Sequence, residues 1–333
     1  MIVHAKAPVR IDFAGGWSDV PDFAERKGGR VVNAAINLYT HVTCQLGGRR
    51  IRLVAQDIDD QITMNDLTGL IYTGTLDLHK AALNMLPVSG GIEIVTRSDV
   101  PMGSGLGGSG SLDVSLLAAL ARAREEDQYE SEDLAEMGFL LESSELNIRG
   151  GRQDQYAAAL GGVNDLHFTD GPPTVARIEL DDPEMTALRS HSTLVYTGLS
   201  HFSSETHERV WNAFHAARDG VSDAIARMRD LAAEASAAIQ AHDWEGLARC
   251  VDENWTQQQR LDSSMATDET RTIEAAVRAA GAWGVKATGA GAGGCLYVLG
   301  PAACRTAIEE SARAAGGQPL AWEFDALGVR SWS

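Results

Sequence analysis

The sequence predicts an α+β fold divided into two domains. The chain has 333 residues, which is enough for two domains of ordinary size with a sizeable core in each. Short runs of β-branched and alternating residues dominate the first half, whereas the second half is mostly helical in pattern. Strands followed by helices, without regular alternation, are typical of α+β proteins. The segment 169–184 has the composition of a connection, so we expect domains over 1–185 and 186–333.

Strands are predicted where β-branched residues recur or alternate with polar residues between glycine-rich or proline-containing turns. The runs with this pattern occupy residues 30–46, 49–56, 90–101, 192–198, 283–288, 293–300 and 319–324. The third run ends at Pro101, directly before the most glycine-rich stretch of the chain.

Helices are predicted where apolar residues recur every three or four positions, or where an apolar run is too long for a strand. The segments with this pattern are 106–125, 131–146, a short helix within 149–162, 221–241 and a helix that begins near Trp244. The first of these is apolar nearly all round at its start, which predicts a buried helix. The second begins with a serine followed by acids, as helices often do.

Composition and charge narrow the possible functions. Apolar residues make up 44% of the chain and charged residues 22%, as in globular proteins, and the net charge is −18. A charge of this sign disfavours nucleic acids and anionic membranes as partners, although a negative ligand can still bind in a locally positive cleft. The start of the chain lacks the apolar run of a signal peptide, and no 18-residue apolar stretch occurs. We therefore expect a soluble, cytoplasmic protein.

The cysteines agree with that expectation. Their spacing contains no CxxC pair and no histidine spacing suited to zinc, so we expect buried thiols in a reducing compartment. They are Cys44, Cys250, Cys295 and Cys304.

The most informative stretch is PMGSGLGGSGSLDVSLLAAL, residues 101–120, in which glycines and serines lead directly into an apolar helix. It matches GxGxxG, but a dinucleotide-binding unit would need one helix, a second strand and an acid about 20 residues on. Here two helices follow in succession, and the motifs of protein kinases and P-loops are absent. A glycine-rich turn at a helix N-terminus still leaves backbone N–H groups free at the positive end of the helix dipole. We expect a phosphate site there, with a flexible turn as the alternative.

Two further glycine-rich segments support this expectation. KAPVRIDFAGGWSDVP, residues 6–21, places an arginine and two acids around a Gly-Gly turn. VKATGAGAGGCLYVLG, residues 285–300, is another small-residue turn between predicted strands. A turn between strands explains each segment singly but explains the three together poorly. We therefore expect the three turns to share one cleft.

These three segments resemble, in order and spacing, the three motifs of the GHMP small-molecule kinases, the superfamily of galactokinase, homoserine kinase and mevalonate kinase. The match extends from Ala5 to about Tyr297, and the first two motifs are the more specific. It implies the GHMP kinase fold, with an N-terminal domain like domain 2 of ribosomal protein S5 and a ferredoxin-like C-terminal domain. APVRIDFAGGWSDVP and GGRQDQYAAALGG look like the bacterial D-glycero-D-manno-heptose 7-phosphate kinases, and the kinase part of bacterial L-fucokinases is a near relative.

The resemblance implies ATP and Mg²⁺ as cofactors. Ser109 would bind Mg²⁺ together with Glu142, since Mg²⁺ takes few protein ligands and keeps several waters. Gly108 stands where the family usually has serine, and Glu145 lies close enough in sequence to be confused with Glu142. The residues implied to hold the nucleotide are Gly103, Ser104, Gly105, Leu106, Gly107, Gly108, Ser109, Gly110 and Ser111, together with Gly289 and Gly291.

Phosphoryl transfer requires positioning, charge neutralisation and an oriented nucleophile. By the resemblance, Asp154 would be the catalytic base that accepts the proton of the substrate hydroxyl. Arg10 would lie beside Asp154 and offset charge at the transferring phosphoryl group. A surface pair at a strand edge is the alternative for Arg10, and a solvated helix acid is the alternative for Glu142.

The acceptor site is also implied by the resemblance. Its residues would be Asp19, Gly16, Gly151 and Trp17, the last either as a platform for the sugar or as a packing residue. A 7-phosphate needs a cation, for which Arg152 is the first candidate, with Arg149 and Lys286 as weaker ones. His201 stands where heptose kinases usually have arginine, and a neutral imidazole binds phosphate less well than a guanidinium does. His201 is either a substrate contact or an ordinary exposed histidine.

The expected function is transfer of the γ-phosphate of ATP to the anomeric C1 hydroxyl of D-glycero-D-manno-heptose 7-phosphate. A 1-kinase for a free hexose of the L-fucose or galactose type is the main alternative. A diphosphomevalonate decarboxylase-type activity and a non-catalytic binding module are the others. The expected partner is a small-molecule sugar or sugar phosphate, with no nucleic acid and no membrane, and a homodimer is one option for its assembly.

Overall fold

Two β-sheets organise the chain in the computed structural model, which describes residues 1–68, 70–125, 129–200 and 203–333. The strands of the first sheet are β1 (Ile2–Ala14), β2 (Gly29–Leu46), β3 (Ile51–Ala55), β4 (Asp60–Met64), β5 (Ile92–Ser98), β6 (Val163–Phe168), β7 (Thr174–Ile178) and β12 (Arg330–Trp332). The strands of the second sheet are β8 (Ser192–Tyr196), β9 (Gly284–Ala287), β10 (Cys295–Leu299) and β11 (Gln318–Pro319).

Helices pack on and between these sheets. They are α1 (Pro21–Lys27), α2 (Asp77–Met85), α3 (Gly108–Ala123), α4 (Ser131–Leu140), α5 (Gln153–Leu160), α6 (Asp182–Ser190), α7 (Ser203–His215), α8 (Val221–Gln240), α9 (Trp244–Leu261), α10 (Asp268–Ala279) and α11 (Arg305–Ala314). The predicted helices near 106–125, 149–162, 221–241 and Trp244 are confirmed as α3, α5, α8 and α9. The predicted helix 131–146 is α-helical only as far as Leu140 and continues as a π-helical turn over Leu141–Glu145.

The long strand β2 is the centre of the first sheet. It pairs antiparallel with β1 along most of its length, with β5 through its second half and with β6 through its first half. The pairing of β1 with β2 shifts register between Pro8 and Val9. A proline has no N–H to donate, so irregular pairing at this point fits its chemistry. The last strand, β12, returns to the first sheet and pairs antiparallel with β1.

The second sheet has the strand order β11-β8-β10-β9, and its neighbouring strands are antiparallel. Helices α7 to α10 connect β8 to β9, and α11 connects β10 to β11. The chain order of this unit is therefore β-α-β-β-α-β, which is the ferredoxin-like pattern. The α+β fold class predicted from the sequence is confirmed.

Helix α8 packs against the first sheet through one face, and the apolar residues that recur along its sequence form that face. Every member of the predicted 3.6-residue repeat is buried, namely Val221, Ile225, Met228, Leu231, Ala235 and Ile239. The last three share a core with Val9, Ile11 and Phe13 of β1. Because side chains alternate along a strand, Arg10 and Asp12 point to the opposite face of β1 from these apolar residues.

Two sequence-based expectations about connections were wrong. The segment 169–184 is not only a connection, because it contains β7, which pairs with β6 in the first sheet. The predicted strand 319–324 is short: Gln318 and Pro319 pair with β8, and Phe324 then bridges to Ile36 of β2. The amide of Leu320 still donates to the carbonyl of Leu194, and the backbone at Glu323 and Asp325 then bonds to β2 at Asn37 and Ala35.

The cysteine prediction is confirmed for three residues. Cys44, Cys250 and Cys295 are free and buried, and Cys304 is free and partly exposed. No helix in the described parts of the chain combines the length and apolar character needed to cross a membrane.

Candidate active site

The three glycine-rich turns line one cleft, with a volume of about 600 Å³, which confirms the prediction that they come together. The first turn contributes Arg10, Gly16, Trp17 and Asp19; the second contributes Gly103, Ser104, Gly105, Gly107, Gly108 and Ser109; the third contributes Gly289, Ala290 and Gly291. The loop before α5 and its first turn complete the middle of the cleft with Gly150, Gly151, Gln153 and Asp154.

The second and third turns are packed directly against each other. A Cβ on Gly105 would lie 2.6 Å from the carbonyl oxygen of Thr288, and one on Gly289 would lie 2.8 Å from the carbonyl oxygen of Gly105. The amide of Cys295 donates a hydrogen bond of 2.8 Å to the carbonyl of Ser104. These glycines are therefore needed for backbone packing between the two sheets' turns, as well as for an open cleft.

Helix α3 starts at Gly108, two residues later than predicted. Its N-cap is Gly107, in the left-handed region with φ 75°, which has no side chain to cap the first-turn N–H groups. A Cβ on Gly108 would meet no atom within 4 Å, so that position is open. The start of the helix thus has the uncapped donors and the dipole that favour an anion.

Three residues implied to hold the nucleotide are not among the described residues that line the cleft. Leu106 is buried in the core, and its carbonyl accepts a hydrogen bond of 2.9 Å from the amide of Arg10. Gly110 packs against α5. Ser111 is buried and donates to the carbonyl of Ala7 at 2.8 Å. Leu106 lies just before α3, and Gly110 and Ser111 lie in its first turn. All three face the sheet or α5 and pack behind the part of the loop that lines the cleft.

Arg10 and Asp154 are joined at the centre of the cleft. Nε of Arg10 donates to Oδ1 of Asp154 at 2.8 Å, and Nη2 lies 2.6 Å from the same oxygen. Nη1 donates to the carbonyl of Gly105 at 2.6 Å. Burial alone would lower the pKa of Arg10, but the carboxylates of Asp154 and Asp12 raise it above its usual value. The guanidinium therefore fixes the carboxylate against the glycine loop.

Two glycines leave room for the side chain of Asp154, because a Cβ at either position would crowd it. A Cβ on Gly107 would lie 3.1 Å from Cγ of Asp154, and one on Gly110 would lie 2.7 Å from its Cβ. Gly107 also has φ 75°, a conformation that residues with side chains rarely adopt. The glycines let α5 bring its first-turn carboxylate to the mouth of α3.

Ser109 and Glu142 form the pair predicted for a metal. The π-helical turn presents Glu142 to the cleft, and π-helical turns often occur at functional sites. Burial raises the pKa of Glu142 to about 7, while its interaction with the Ser109 hydroxyl opposes the shift. Glu145 instead accepts hydrogen bonds from Tyr72 and Asn84, outside the cleft. A hydroxyl and a carboxylate are hard oxygen donors that suit Mg²⁺, which keeps waters in its remaining positions.

Asp113 is a buried acid that the sequence analysis overlooked. It lies on α3 behind Glu142, and it is fully buried. Burial and the nearby charge of Glu142 raise its pKa well above the usual range. An acid inside the apolar run SLDVSLLAAL was a visible signal, since a buried carboxyl in a helix rarely lacks a role.

Asp19 contacts the loop that precedes α5 and the first residue of that helix. Its Oδ2 accepts a hydrogen bond of 3.2 Å from the amide of Gln153, and a Cβ on Gly151 would lie only 1.9 Å from that oxygen. Burial and repulsion from Asp154 raise the pKa of Asp19 to about 7. Gly151 is therefore required for the close approach of this loop to the first glycine turn.

Trp17 lines the cleft but is mainly a packing residue. It is buried, and its ring stacks on His207 with centroids 4.5 Å apart and contacts Trp211. Its φ is 76°, in the left-handed region, so the turn that follows Gly16 forces the ring into this position. His207 of α7 also lines the cleft and was not anticipated from the sequence.

The structure does not bring Arg152 to the cleft. Its guanidinium lies over the ring of Phe139 at 4.1 Å, and its Nε is 3.4 Å from Glu136 on α4. This stacking buries the side chain, and Arg152 is not among the described residues that line the cleft, so its predicted contact with a substrate phosphate finds no support in the geometry. Lys286 is buried too, in an ion pair with Asp12. His201 lies outside the described residues.

Arg149 is the candidate cation that does line the cleft. Its side chain is 49% exposed, and its Nε is 4.0 Å from Oδ2 of Asp22. Arg149 ranked below Arg152 in the sequence analysis because fucokinase-like sequences carry an apolar residue at the position of Arg152; the direction of each side chain was not part of that comparison.

Two family models match the chain in the order expected. The model described as GHMP kinases N terminal domain covers residues 71–162, and the model described as GHMP kinases C terminal covers 235–316. Together they account for more than half of the 333 residues. The chain belongs to the GHMP kinases. This GHMP kinase is a phosphotransferase with an alcohol group as acceptor, and its family uses ATP as the phosphate donor.

Individual relatives of this GHMP kinase match it over nearly all its length. It is 27% identical to the D-glycero-alpha-D-manno-heptose 7-phosphate kinase of Campylobacter jejuni, over 99% of this chain and 98% of that protein. It is also 27% identical to the L-fucokinase/L-fucose-1-P guanylyltransferase of Bacteroides fragilis, over 90% of this chain but 34% of that protein. The crystal structure of a D-glycero-D-manno-heptose 1-phosphate kinase from Bacteroides thetaiotaomicron has the same fold, with TM-score 0.81, 24% identity and 99% coverage of both chains.

Proposed function

We propose that this GHMP kinase transfers the γ-phosphate of ATP to the anomeric hydroxyl of D-glycero-D-manno-heptose 7-phosphate, giving the 1,7-bisphosphate. One observation carries the proposal: the Asp154 carboxylate lies against the glycine loop, where a Cβ on Gly107 would be 3.1 Å from its Cγ. A base at the mouth of a phosphate-binding helix is where an acceptor hydroxyl and a γ-phosphate would meet. The heptose substrate is supported by the Campylobacter jejuni relative.

In the proposed reaction Asp154 accepts the proton of the acceptor hydroxyl as the oxygen attacks the γ-phosphorus. An anomeric hydroxyl is more acidic than an ordinary alcohol, so a carboxylate serves as its general base. Arg10 holds the carboxylate by two contacts of 2.8 and 2.6 Å to Oδ1, and so sets its direction. Its positive charge also offsets the charge that develops on the phosphoryl oxygens.

We assign the triphosphate to the second glycine turn and the start of α3, with Gly289 and Gly291 closing the other side. The metal ligands in this proposal are Ser109 and Glu142. Mg²⁺ bound there would neutralise the charge of the phosphates. With Ser109 and Glu142 as the protein ligands, water and phosphate oxygens would fill the remaining positions around Mg²⁺.

The base of the nucleotide is proposed to occupy the apolar end of the cleft. That end is lined by residues of β3, α2, β5 and the segments beside them: Ala55, Ile58, Leu76, His79, Thr96, Val100 and Met102. Burial lowers the pKa of His79 to about 4, and its Nε2 is 2.8 Å from the hydroxyl of Thr96. A neutral and largely apolar slot suits a purine ring.

The sugar is proposed to bind at the opposite end, beside Asp19, Gly16, Trp17 and Gly151. Asp19 would accept hydrogen bonds from sugar hydroxyls, and the two glycines leave room for the ring. Gly16 faces the carboxylate of Asp12, which a Cβ at this position would approach to 2.9 Å.

We also propose a domain boundary near residue 185 and a cytoplasmic location. The boundary is supported by the sheets, since β7 of the first sheet ends at Ile178 and β8 of the second begins at Ser192. The location is supported by the free cysteines, which suit a reducing compartment.

An ATP-consumption assay over a set of acceptors tests the proposed substrate. The set contains heptose 7-phosphate, mannose 6-phosphate, and free fucose, galactose and mannose, and we expect the highest kcat/KM with heptose 7-phosphate. A 1-kinase for a free hexose is the second candidate, favoured by the match to the Bacteroides fragilis fucokinase. Turnover of free fucose with none of the sugar phosphates would establish that candidate and refute the heptose proposal.

A further inference from the structure

The proposed function requires an acceptor that carries a phosphate. At the sugar end of the cleft, the negative charge of the protein would repel that phosphate. The protein has a net charge of −18, and five carboxylates line the cleft within the described residues: Asp19, Asp57, Asp77, Glu142 and Asp154. A phosphate monoester brings close to two further negative charges at neutral pH. Such a substrate would be repelled unless a cation faces it locally.

The arginines and lysines that line the cleft within the described residues are Arg10, Arg97 and Arg149. Arg10 is committed to Asp154 and to the carbonyl of Gly105. Arg97 belongs to β5, at the nucleotide end, and its Nη2 is 3.1 Å from Asp99. The remaining cation, Arg149, has a half-exposed side chain.

Arg149 is placed beside the proposed sugar site. It precedes Gly150 and Gly151, and Gly151 packs against the carboxylate of Asp19. Its acidic neighbour Asp22 is 4.0 Å away, and that carboxylate already pairs at 2.5 Å with Nε2 of His215. The Arg149 guanidinium can therefore turn to a ligand without leaving a carboxylate unpaired, and its fork suits a phosphate.

His207 supplies a second group on the same wall. Its ring is fixed by stacking on Trp17, and its Nδ1 is buried with no hydrogen-bond partner in the described parts of the chain. Burial and the charge of Arg149 lower the pKa of His207 to about 4, so the ring is neutral near pH 7. The ring lines the cleft, and a phosphate oxygen could accept a hydrogen bond from its N–H.

We propose that Arg149 and His207 form the subsite that binds the phosphate of the acceptor, and that Arg149 determines the preference for phosphorylated over free sugars. This inference rests on the proposed function. The acceptor would extend from Asp154, past Asp19, to Arg149, so that its phosphate lies at the opposite end from the reacting hydroxyl.

Steady-state kinetics of Arg149→Ala, Arg149→Lys and His207→Phe test the subsite, with heptose 7-phosphate and free mannose as acceptors. For Arg149→Ala we expect KM for heptose 7-phosphate to rise about 10- to 100-fold, as for a lost charge-assisted pair, with little change in kcat or in KM for ATP. Arg149→Lys keeps the charge but loses the fork, so its KM should be intermediate. His207→Phe keeps the stacking and should raise KM about 10-fold. The ratio of kcat/KM for heptose 7-phosphate to kcat/KM for free mannose should therefore fall in the Arg149 variants.

Arg271→Ala is the matched control, because it removes the same charge from an exposed position on α10. One outcome would overturn the subsite alone: the wild-type protein phosphorylates heptose 7-phosphate, and Arg149→Ala has the same KM for it. The proposed function would then still stand. A wild-type protein that phosphorylates only free sugars would overturn both, and this outcome is recognised from the wild-type data alone.

Discussion

The ammonium of Lys286 contacts the carboxylate of Asp12 across the boundary between the two sheets, with Nζ 2.5 Å from Oδ2 and both side chains 1% exposed. Asp12 lies two residues after Arg10 on β1. The Oδ1 atom of Asp12 accepts a hydrogen bond of 3.3 Å from the amide of Gly289. Burial lowers the pKa of Lys286, and the charge of Asp12 opposes that shift. The ion pair thus attaches the third glycine turn to the strand that carries Arg10.

We predict that Lys286→Met destabilises the protein by about 3–5 kcal/mol, because it leaves the Asp12 carboxylate buried without its partner. The double variant Asp12→Asn/Lys286→Met should recover much of this loss. Urea unfolding of both singles and the double gives the coupling energy. Arg313→Met, which removes a half-exposed cation near Glu309, should change stability by less than about 1 kcal/mol. Additive effects of the two single changes would contradict this account of the pair.

Asp154→Asn should lower kcat by about 10²–10⁴-fold, because an amide cannot accept the proton of the acceptor hydroxyl. Affinity for ATP should stay within a few-fold of wild type, measured by equilibrium titration. Asp268→Asn makes the same change at an exposed site at the start of α10 and should leave kcat unaltered. Normal turnover by Asp154→Asn would remove this residue from the role of base.

Ser109→Ala and Glu142→Gln should each raise the Mg²⁺ concentration needed for half-maximal ATP binding, by about 10-fold or more for the loss of the carboxylate. Fluorescence titration of a nucleotide analogue against Mg²⁺ measures the change without turnover. Glu145→Gln is the control, since its carboxylate bonds to Tyr72 and Asn84 instead of facing the cleft. Equal Mg²⁺ requirements in Glu142→Gln and Glu145→Gln would show that the metal lies elsewhere.

Gly110→Ala should destabilise the protein by about 1–3 kcal/mol, because its Cβ would lie 2.7 Å from Cβ of Asp154. Gly108→Ala, two residues earlier on the same helix, meets no atom within 4 Å and should be neutral or slightly stabilising. Thermal unfolding of the two variants provides the comparison. The same loss in both would mean that helix conformation, and not contact with α5, sets the requirement for glycine.

The pKa of Asp19, raised to about 7 by burial and by Asp154, makes stability depend on pH. The folded protein takes up a proton near pH 7 that the unfolded chain does not bind until its ordinary pKa of 3.8. This carboxyl therefore favours the folded state in acid, and its contribution declines as the pH rises through about 7. In Asp19→Asn the loss of stability between pH about 5 and about 8 should be smaller than in wild type, as measured by urea unfolding. An unaltered pH dependence would exclude Asp19 as its source.

The residues of the site that lie within sequence motifs could be predicted from the sequence. The resemblance to the GHMP kinase motifs implied Arg10, Ser109, Glu142 and Asp154 as site residues, and each motif keeps its own residues close together on one turn or helix. All four line the cleft. The strands and helices with clear periodicity were predicted for the same reason.

Directions of side chains that depend on tertiary packing were not predictable. Arg149 and Arg152 are three residues apart, and the contacts of Arg152 with Phe139 and Glu136 hold it away from the cleft that Arg149 lines. His207 comes from another part of the chain and carries no motif. The π-helical turn that presents Glu142 also has no local signature in the sequence.

The pairing of β12 with β1 has a consequence for how the molecule can be divided. Residues 330–332 cover the outer edge of β1 opposite residues 4–6. A fragment cut near residue 185 would present that edge with its amides and carbonyls bare, a surface to which other chains adhere. Residues 1–185, which include the proposed base, are therefore not expected to fold independently. Expressed alone they should aggregate unless strand β12 is supplied.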